Sequence, residues 1–312
     1  MRLAHEALAF DVGFYNGDDS ALLLMHGYRV LAIEANPALV ARGRVRFAEA
    51  IQRGQLTLLN QALARTEAEI GSVLPFYVNR HEWAWSSFHS NVGCRPRNSS
   101  QDCDARPVRA ESCAALLAKY GVPLILKLDI EGSEQPCIEA LRSSPVRPSY
   151  IVMEVRPIGG MADVYLTLHA LGYDGFKWVS QGEVEEVKAW GWSSGPIGEF
   201  ARDCHFGYGW RSLRSLLHWH RYTRAVQHAD FLQRNPHVSG RAASFEHWHE
   251  AALTKLKPLL VGTEDPRSRE NCSVDTWADV HARHQLVRSR YEPFGEAGVF
   301  GDGVPSSARR VV

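Results

Sequence analysis

Short apolar runs alternate with amphipathic, helix-like stretches through the first 180 residues of the chain. The predicted strands are 7–12, 28–33, 55–60, 124–130, 150–155 and 176–180, and the predicted helices are 18–26, 39–53, 112–120, 134–141 and 162–171. This alternation is typical of a parallel sheet covered by helices. It predicts the α/β class, with a doubly wound, mostly parallel, Rossmann-like sheet whose ligand lies beyond the carboxyl ends of the strands.

Two regions interrupt the alternation. Residues 66–108 contain a possible hairpin at 72–78, followed by a long loop rich in Trp, Ser, Asn and Arg, and loops of this length are often functional. From about residue 181 the composition shifts. We therefore expect a core at 1–182 that is completed by about 270–290, a long C-terminal insert at 183–269 that shapes an acceptor site, and a flexible tail at 295–312.

The amino-acid composition limits which binding partners and which cellular compartment are expected for the protein. The 312 residues carry 35 basic and 35 acidic side chains, so no global field favours nucleic acid. No apolar run approaches about 18 residues, and the first residues lack a basic and then apolar leader, so we expect no membrane span and a cytoplasmic protein. Six cysteines without a C-x-x-C pair predict reduced thiols rather than disulfides or a zinc site. The oligomeric state stays open.

The first motif, DVGFYNGDDS, follows the first predicted strand. Gly13 and Gly17 permit a tight turn that lets a nucleotide approach the main chain. A dinucleotide site would need a third glycine and positive potential for the pyrophosphate, whereas Asp18 and Asp19 stand there as expected helix caps. Asp11 instead complements a cationic nucleoside, and S-adenosylmethionine carries both a sulfonium and an ammonium.

The end of the second strand adds a carboxylate to the same site. Glu34 comes twenty-three residues after Asp11, where a doubly wound nucleoside site places the group that accepts the two ribose hydroxyls. Within the same two motifs we also assign Tyr15, Asn16 and Asn36 to the cofactor. A glycine turn taken alone is also compatible with simple chain reversal.

The second motif, LKLDIEGSE, places Lys127, Asp129 and Glu131 on one face of a strand if the strand alternates regularly. Buried parallel strands rarely carry three charges, so this face looks either into a ligand site or into a tight ion-pair network. Glu154 adds a carboxylate near the end of the next strand.

The order of DVGFYNGDDS, AIEANPALV, WSSF, LKLDIEGSE and YIVMEV resembles the FkbM family of S-adenosylmethionine-dependent methyltransferases, and TWADVHA at 276–282 resembles its closing segment. The resemblance implies a class I methyltransferase fold and O-methylation of small molecules or glycans. It also implies cofactor contacts from Asp11, Gly13, Gly17 and Glu34, with Asp129 beside the methyl group.

A hydroxyl acceptor must lose its proton during methyl transfer. We expect Asp129, Glu131 or Glu154 to take this proton and Lys127 to stabilise the alkoxide, and His89 is a further candidate base. A divalent cation held by the same carboxylates is an alternative, although no metal site is indicated. The acceptor is expected to be a small molecule or a glycan, and an anionic one if the arginines contact it. The residues expected to bind it are Trp85, Ser86, Ser87, His89, Arg211 and Arg214.

Three other functions stay open from the sequence. The first is N-methylation of a peptide or amide acceptor by an enzyme of the same fold. A nicotinamide-dependent oxidoreductase fits the fold but not the glycine spacing. A nucleoside-binding protein without turnover is the third alternative.

Overall fold

The computed structural model describes residues 7–95, 102–130, 133–155, 161–180 and 278–284. In chain order the elements are β1 (Leu8–Val12), α1 (Asp18–Met25), β2 (Arg29–Glu34), α2 (Pro37–Arg46), α3 (Ala48–Gln52), β3 (Leu56–Asn60), β4 (Ala62–Leu63), β5 (Val73–Asn79), α4 (Ser90–Gly93), β6 (Cys103–Glu111), α5 (Cys113–Tyr120), β7 (Ile125–Leu128), α6 (Gln135–Ala140), β8 (Tyr150–Val155), α7 (Met161–Ala170), β9 (Tyr173–Ser180) and β10 (Ala278–His284).

In the described part of the chain, a seven-stranded sheet in the order β3-β2-β1-β7-β8-β10-β9 forms the centre of the fold. Its first five strands are parallel, and β10 lies antiparallel between β8 and β9. The chain winds outward from β1 in one direction through β2 and β3, and later in the other through β7 and β8. This confirms the predicted doubly wound fold and the class I methyltransferase order, with the switch point between β1 and β7.

Apolar side chains cover both faces of the sheet because alternate strand residues point to opposite sides. One face carries Phe10, Leu31, Leu126 and Ile151, each at most 1% exposed, against α5, α6 and α7. The other carries residues such as Ala9, Val30 and Ile125 against α1 and α2. Burying one such aliphatic side chain stabilises the fold by about 1.5–3 kcal/mol, which fixes the strand ends that carry the polar motifs.

The helix predicted at 39–53 is two helices. α2 ends at Arg46 and α3 begins at Ala48, with Phe47 between them. The Phe47 ring is buried edge-on against the Phe14 ring, with 5.7 Å between centroids. This contact holds the glycine turn after β1 against the helix break, and the local apolar spacing does not reveal it.

The region 66–108 is more regular than expected. β5 pairs antiparallel with β6, and β6 pairs parallel with β4, so a three-stranded sheet takes up the predicted hairpin at 72–78 and the end of the predicted loop from Cys103 onward. β6 reads CDARPVRAE, and its charges and Pro107 mask the period-two pattern of a strand. The irregular connection is therefore confined to the residues between β5 and β6, which contain the Trp-Ser-Ser-Phe segment.

Four of the six cysteines form disulfides, Cys94 with Cys103 and Cys113 with Cys137, across Cα separations of 4.8 and 5.1 Å. The prediction of reduced thiols is wrong for these four, and Cys204 and Cys272 lie outside the described residues. Neither pair has a recognisable spacing, because the fold brings β6 to the end of α4 and α5 to α6. Among the helices that the structure describes, none is long and apolar enough to cross a membrane.

Candidate functional site

The glycine turn after β1 is fixed by the protein's own atoms. Gly13 has φ of +95°, and a Cβ there would overlap the main-chain carbonyl of Asp129. The main-chain N–H groups of Gly13 and Phe14 both donate to the carbonyl of Ile33, at 3.0 and 3.1 Å. The turn thus lies pinned between the ends of β2 and β7.

Gly17 is also required by packing. It is the N-cap of α1 at φ +86°, and a Cβ there would press against the rings of Phe14 and Phe47. The sequence predicts that both glycines form a tight turn and let a ligand approach, but it does not reveal these packing contacts. The prediction that Asp18 and Asp19 are caps is wrong, because both lie in the first turn of α1.

Glu34 ties the turn to the end of β2. Its two carboxylate oxygens accept from the main-chain N–H groups of Tyr15 and Asn36, at 2.8 and 2.7 Å. Burial raises the pKa of Glu34 to about 7, although these two hydrogen bonds oppose the shift. Each oxygen keeps a second lone pair, so the carboxylate can still accept ligand hydroxyls.

Three further predicted cofactor residues surround this carboxylate. Tyr15 is 40% exposed and has φ of +48°, a left-handed conformation that is uncommon for a tyrosine. Asn16 accepts from the Asp18 N–H at 3.0 Å and donates to the Asp18 carboxylate at 2.9 Å. Asn36 caps α2 by accepting from Ala38, while its buried Nδ2 has no partner among the described residues. Unsatisfied buried donors are costly, so Asn36 fits a ligand contact.

Lys127 is the centre of a buried ion-pair cluster, here called the Lys127 cluster. Its ammonium lies 2.6 Å from Asp19, 3.3 Å from Asp11 and 3.7 Å from Asp129, and donates to the Gly13 carbonyl at 3.2 Å. Burial lowers the pKa of Lys127, but the three carboxylates outweigh that effect and raise it well above its usual value. The lysine is therefore charged, and it joins β7 to β1, α1 and the glycine turn.

Asp11 lies inside this cluster and not at its surface. The side chain is fully buried, accepts from the Ser20 hydroxyl at 2.6 Å, and has one oxygen without a hydrogen bond among the described residues. Burial raises the pKa of Asp11 to about 6, against the lowering effect of Lys127. The expected direct contact with a ligand is not available to a side chain with no exposed surface.

Asp129 is the most solvent-exposed member of the Lys127 cluster. Its side chain is 34% exposed, against 14% for Asp19 and 7% for Lys127. Its N–H donates to the Val12 carbonyl, which places it directly beyond the ends of β1 and β7. The structure thus brings Lys127 and Asp129 together on one side, as the alternating pattern predicts, although β7 ends at Leu128.

The Trp-Ser-Ser-Phe segment divides into buried and open residues. Ser86 accepts from the Asn79 N–H at 3.1 Å, and Ser87 exchanges two main-chain hydrogen bonds with Tyr77. Both serines are almost fully buried, so they hold the segment against β5 and do not present their hydroxyls to solvent. Trp85, Phe88 and the adjoining His89 are partly exposed. The Phe88 ring packs on Phe76, and the Trp85 ring lies 5.1 Å from the Arg95 guanidinium.

Three residues that no sequence motif marks make contacts across long chain separations: Asn79, Arg46 and Arg42. Asn79 anchors the loop by accepting from the N–H groups of His81 and Glu82 and donating to the carbonyls of Gly93 and Arg95. Arg46 donates to the Asn16 carbonyl and the Asp18 carboxylate, each at 2.7 Å. Arg42, one helical turn earlier, stacks over Trp83 at 4.2 Å and so brings the loop beside α2. No local motif marks these contacts.

Four predicted residues cannot be placed. Glu131, Arg211 and Arg214 lie outside the described residues, and Glu154 is described by its main chain in β8 alone. Within the described part of the chain, no three His, Cys, Asp or Glu side chains are arranged to hold a metal ion.

Solved structures that this chain resembles include methyltransferases, with TM-scores of 0.32 or below. A methyltransferase FkbM from Methylobacillus flagellatus is 17% identical, with 49% of this chain and 34% of that chain covered and a TM-score of 0.29. Precorrin-6y C5,15-methyltransferase from Geobacter metallireducens is 15% identical over 57% and 69%, at 0.32. Precorrin 8w decarboxylase from Methanobacterium thermoautotrophicum is 14% identical over 57% and 71%, also at 0.32.

A search of curated proteins returns no match. The model of the methyltransferase FkbM domain matches residues 11–174, which is more than half of the 312 residues. The match runs from the first site carboxylate through the glycine turn, the Lys127 cluster and β8 into β9. The chain therefore belongs to the FkbM methyltransferase family and is a methyltransferase.

Proposed function

We propose that the protein transfers a methyl group from S-adenosylmethionine to a hydroxyl on a small molecule, a sugar or a glycan. The observation that carries this proposal is the charge of the site. Asp129 presents a carboxylate at the switch point, beside a glycine turn whose helix N-terminus is occupied by Asp18 and Asp19. Such an edge attracts a cationic nucleoside and repels a pyrophosphate, which disfavours a nicotinamide cofactor.

The residues present fit the cofactor by their chemistry. Glu34 has lone pairs for the ribose hydroxyls, and the buried Nδ2 of Asn36 offers an unused donor beside it. The main chain of residues 13–17 lines the turn, and Asp129 offers a negative charge to a sulfonium or an ammonium. When bound, the cofactor supplies a methyl group on a positively charged sulfur.

The protein's own contribution is to align the acceptor and to manage its proton. Asp129 is the candidate base that is open to solvent in the described part of the cluster. Glu131, Glu154 and His89 are the other candidates for this role. Lys127 has its ammonium engaged by three carboxylates and a carbonyl, which supports a role in holding Asp129 rather than in stabilising an alkoxide.

The acceptor side is assigned to the loop between β5 and β6 together with residues 183–269. Within that loop, the partly exposed Trp85 and His89 are better suited to touch an acceptor than the buried Ser86 and Ser87. Trp85 offers a flat apolar face of the kind that packs against a sugar or an aromatic ring. An anionic acceptor would require Arg211 and Arg214 to face this loop.

The deciding experiment combines cofactor binding with methyl transfer by the full chain. Calorimetry is expected to show binding of S-adenosylmethionine and none of NAD. A methyl-labelled cofactor incubated with fractionated small-molecule and glycan extracts is expected to label an acceptor, and NMR of a carbon-13 methyl group then separates a methyl ether from an N-methyl product. Binding of NAD alone, or an N-methyl product, would replace the proposal with the corresponding alternative.

Asp129→Asn is the matched variant for this assay. It preserves the shape of the side chain and removes its charge, so we expect turnover to fall by at least about a hundredfold, within the range of single acid–base and electrostatic contributions. Glu139→Gln makes the same type of change at an exposed α6 carboxylate paired with Arg142, and we expect it to leave turnover unchanged. Unchanged turnover in Asp129→Asn would remove that residue from the mechanism.

A further inference from the structure

We propose that the Lys127 cluster makes the site discriminate between the sulfonium form of the cofactor and its uncharged-sulfur product, with Lys127 and Asp19 as positioning residues. This inference rests on the proposed function. It concerns a property that neither the fold nor family membership supplies, namely the relative affinity for S-adenosylmethionine and S-adenosylhomocysteine.

The first step is the charge balance. Three carboxylates surround one ammonium, and no second Lys or Arg in the described residues pairs with any of the three. The cluster is therefore negative, by up to two unit charges when all three carboxylates are ionised. The buried Asp11 oxygen that makes no hydrogen bond lies 3.3 Å from the Lys127 ammonium, so the excess negative charge belongs to the cluster as a whole and not to an unpaired Asp11.

The second step is the direction in which that charge acts. Asp11 is fully enclosed, and Asp19 and Lys127 are nearly so, whereas Asp129 is one-third exposed beside the glycine turn. The excess negative charge thus faces the inferred cofactor site through Asp129. Because most of the cluster is shielded from water and salt, its field on a nearby cation is screened less than that of surface charges.

The third step follows from the reaction. The acceptor oxygen bonds to the methyl carbon, the carbon–sulfur bond breaks with its electron pair left on sulfur, and the hydroxyl proton passes to a base. The bound nucleoside therefore loses one positive charge. A negative cluster stabilises the reactant by an electrostatic contribution that the product lacks, so it favours binding before transfer and release afterwards.

The test measures dissociation constants of both nucleosides by calorimetry on the folded full chain. Asp19→Asn removes one cluster charge and frees Lys127 to neutralise Asp129. We expect the ratio of the S-adenosylhomocysteine constant to the S-adenosylmethionine constant to fall about tenfold, given a charge some ångströms from the sulfur at intermediate dielectric. The two ligands differ in one methyl group and one charge, so loss of stability or of general fit would not move this ratio.

Two control variants bracket the result. Asp104→Asn is the same change on β6, at an exposed carboxylate that is paired with Arg80 and lies outside the site, and we expect a ratio within about twofold of the wild type. Asp19→Glu keeps the charge and should restore most of the ratio. Thermal unfolding confirms that each variant is folded.

The outcomes separate this inference from the proposed function. If the wild type binds neither nucleoside, the proposed function fails. If it binds S-adenosylmethionine and the ratio is the same in the wild type and Asp19→Asn, or shifts equally in Asp104→Asn, the cluster does not discriminate charge and this inference alone is overturned.

Discussion

The main-chain carbonyl of Asp129 occupies the space that a side chain at position 13 would need. Gly13 in turn accepts a hydrogen bond from Lys127, two residues before Asp129. The end of β7 and the turn after β1 therefore pack directly against each other. A change in the turn at Gly13 displaces the carboxylate of Asp129. This reciprocal contact requires a glycine at position 13 for folding, whether or not a ligand is bound.

Replacing Gly13 by alanine tests that contact. The variant combines a φ of +95° with overlap of the Asp129 carbonyl, so we expect the free energy of unfolding to fall by more than the roughly 1–2 kcal/mol that a left-handed alanine costs. We also expect S-adenosylmethionine binding to be lost. Urea unfolding and calorimetry measure the two effects.

Gly54→Ala is the matched control for Gly13→Ala. Gly54 also has a positive φ, of +69°, but a Cβ there would meet no atom within 4 Å. It should therefore show the left-handed cost of about 1–2 kcal/mol and unchanged cofactor affinity. Equal losses in the two variants would show that backbone strain, and not the overlap with Asp129, governs position 13.

The buried carboxylate of Glu34 predicts a pH dependence of cofactor binding. Its pKa is raised to about 7 by burial, and only the ionised form accepts two ribose hydroxyls. We therefore expect the affinity for S-adenosylmethionine to rise about tenfold between about pH 6 and about pH 8, as the ionised fraction increases. Calorimetry across this pH range measures the affinity, with Glu34→Gln as the non-titrating variant. An equally steep rise of the affinity in Glu34→Gln would assign the pH dependence to another group.

Stability should change with pH in the opposite sense. The folded-state pKa of Glu34 lies above its usual value of 4.5, so this group's contribution to stability is fully present below about pH 4.5 and is lost as the pH rises through about 7. In urea unfolding, Glu34→Gln should therefore lose less stability than the wild type over that interval. A larger loss in the variant would contradict the burial of this carboxylate.

The loop between β5 and β6 predicts different effects for two neighbouring residues. Trp85→Ala should raise the KM for the acceptor by about tenfold and change stability little, because the ring is partly exposed. Ser87→Ala should instead lower stability by about 1 kcal/mol, since its buried hydroxyl accepts from the His89 N–H, and leave KM unchanged. Steady-state kinetics and urea unfolding check both; the reverse pattern would show that the serine, and not the tryptophan, contacts the acceptor.

The disulfides predict the state of the thiols in purified protein. Under denaturing conditions without reductant, an alkylating reagent should leave Cys94, Cys103, Cys113 and Cys137 unmodified. Replacing both Cys113 and Cys137 by serine should lower the free energy of unfolding by about 3 kcal/mol, given their separation of 24 residues. Peptide mass spectrometry and urea unfolding provide the readouts, and modification of all four cysteines would restore the interpretation of reduced thiols.

Much of the fold follows from local patterns in the sequence. Strand β8 has the predicted bounds, and β1, β2 and β3 differ from their predicted bounds by at most a residue at either end, because apolar runs between turn residues mark buried parallel strands. The carboxyl-end rule then located Glu34 and Asp129 at one edge, since strands of one direction end together. The sequence also determined that Lys127 and Asp129 share a face, because alternation is a property of any extended chain.

The tertiary structure decided which groups meet. Asp11 and Asp19 contact Lys127 although more than a hundred residues separate them in the chain, and this contact makes Asp11 an interior residue instead of a ligand contact. The overlap of Gly13 with Asp129 and the pairing of Cys113 with Cys137 have the same origin. Local periodicity fixes the direction of a side chain within its own element, whereas its partner depends on how β1, β7 and the helices pack, and that packing is set by the whole core.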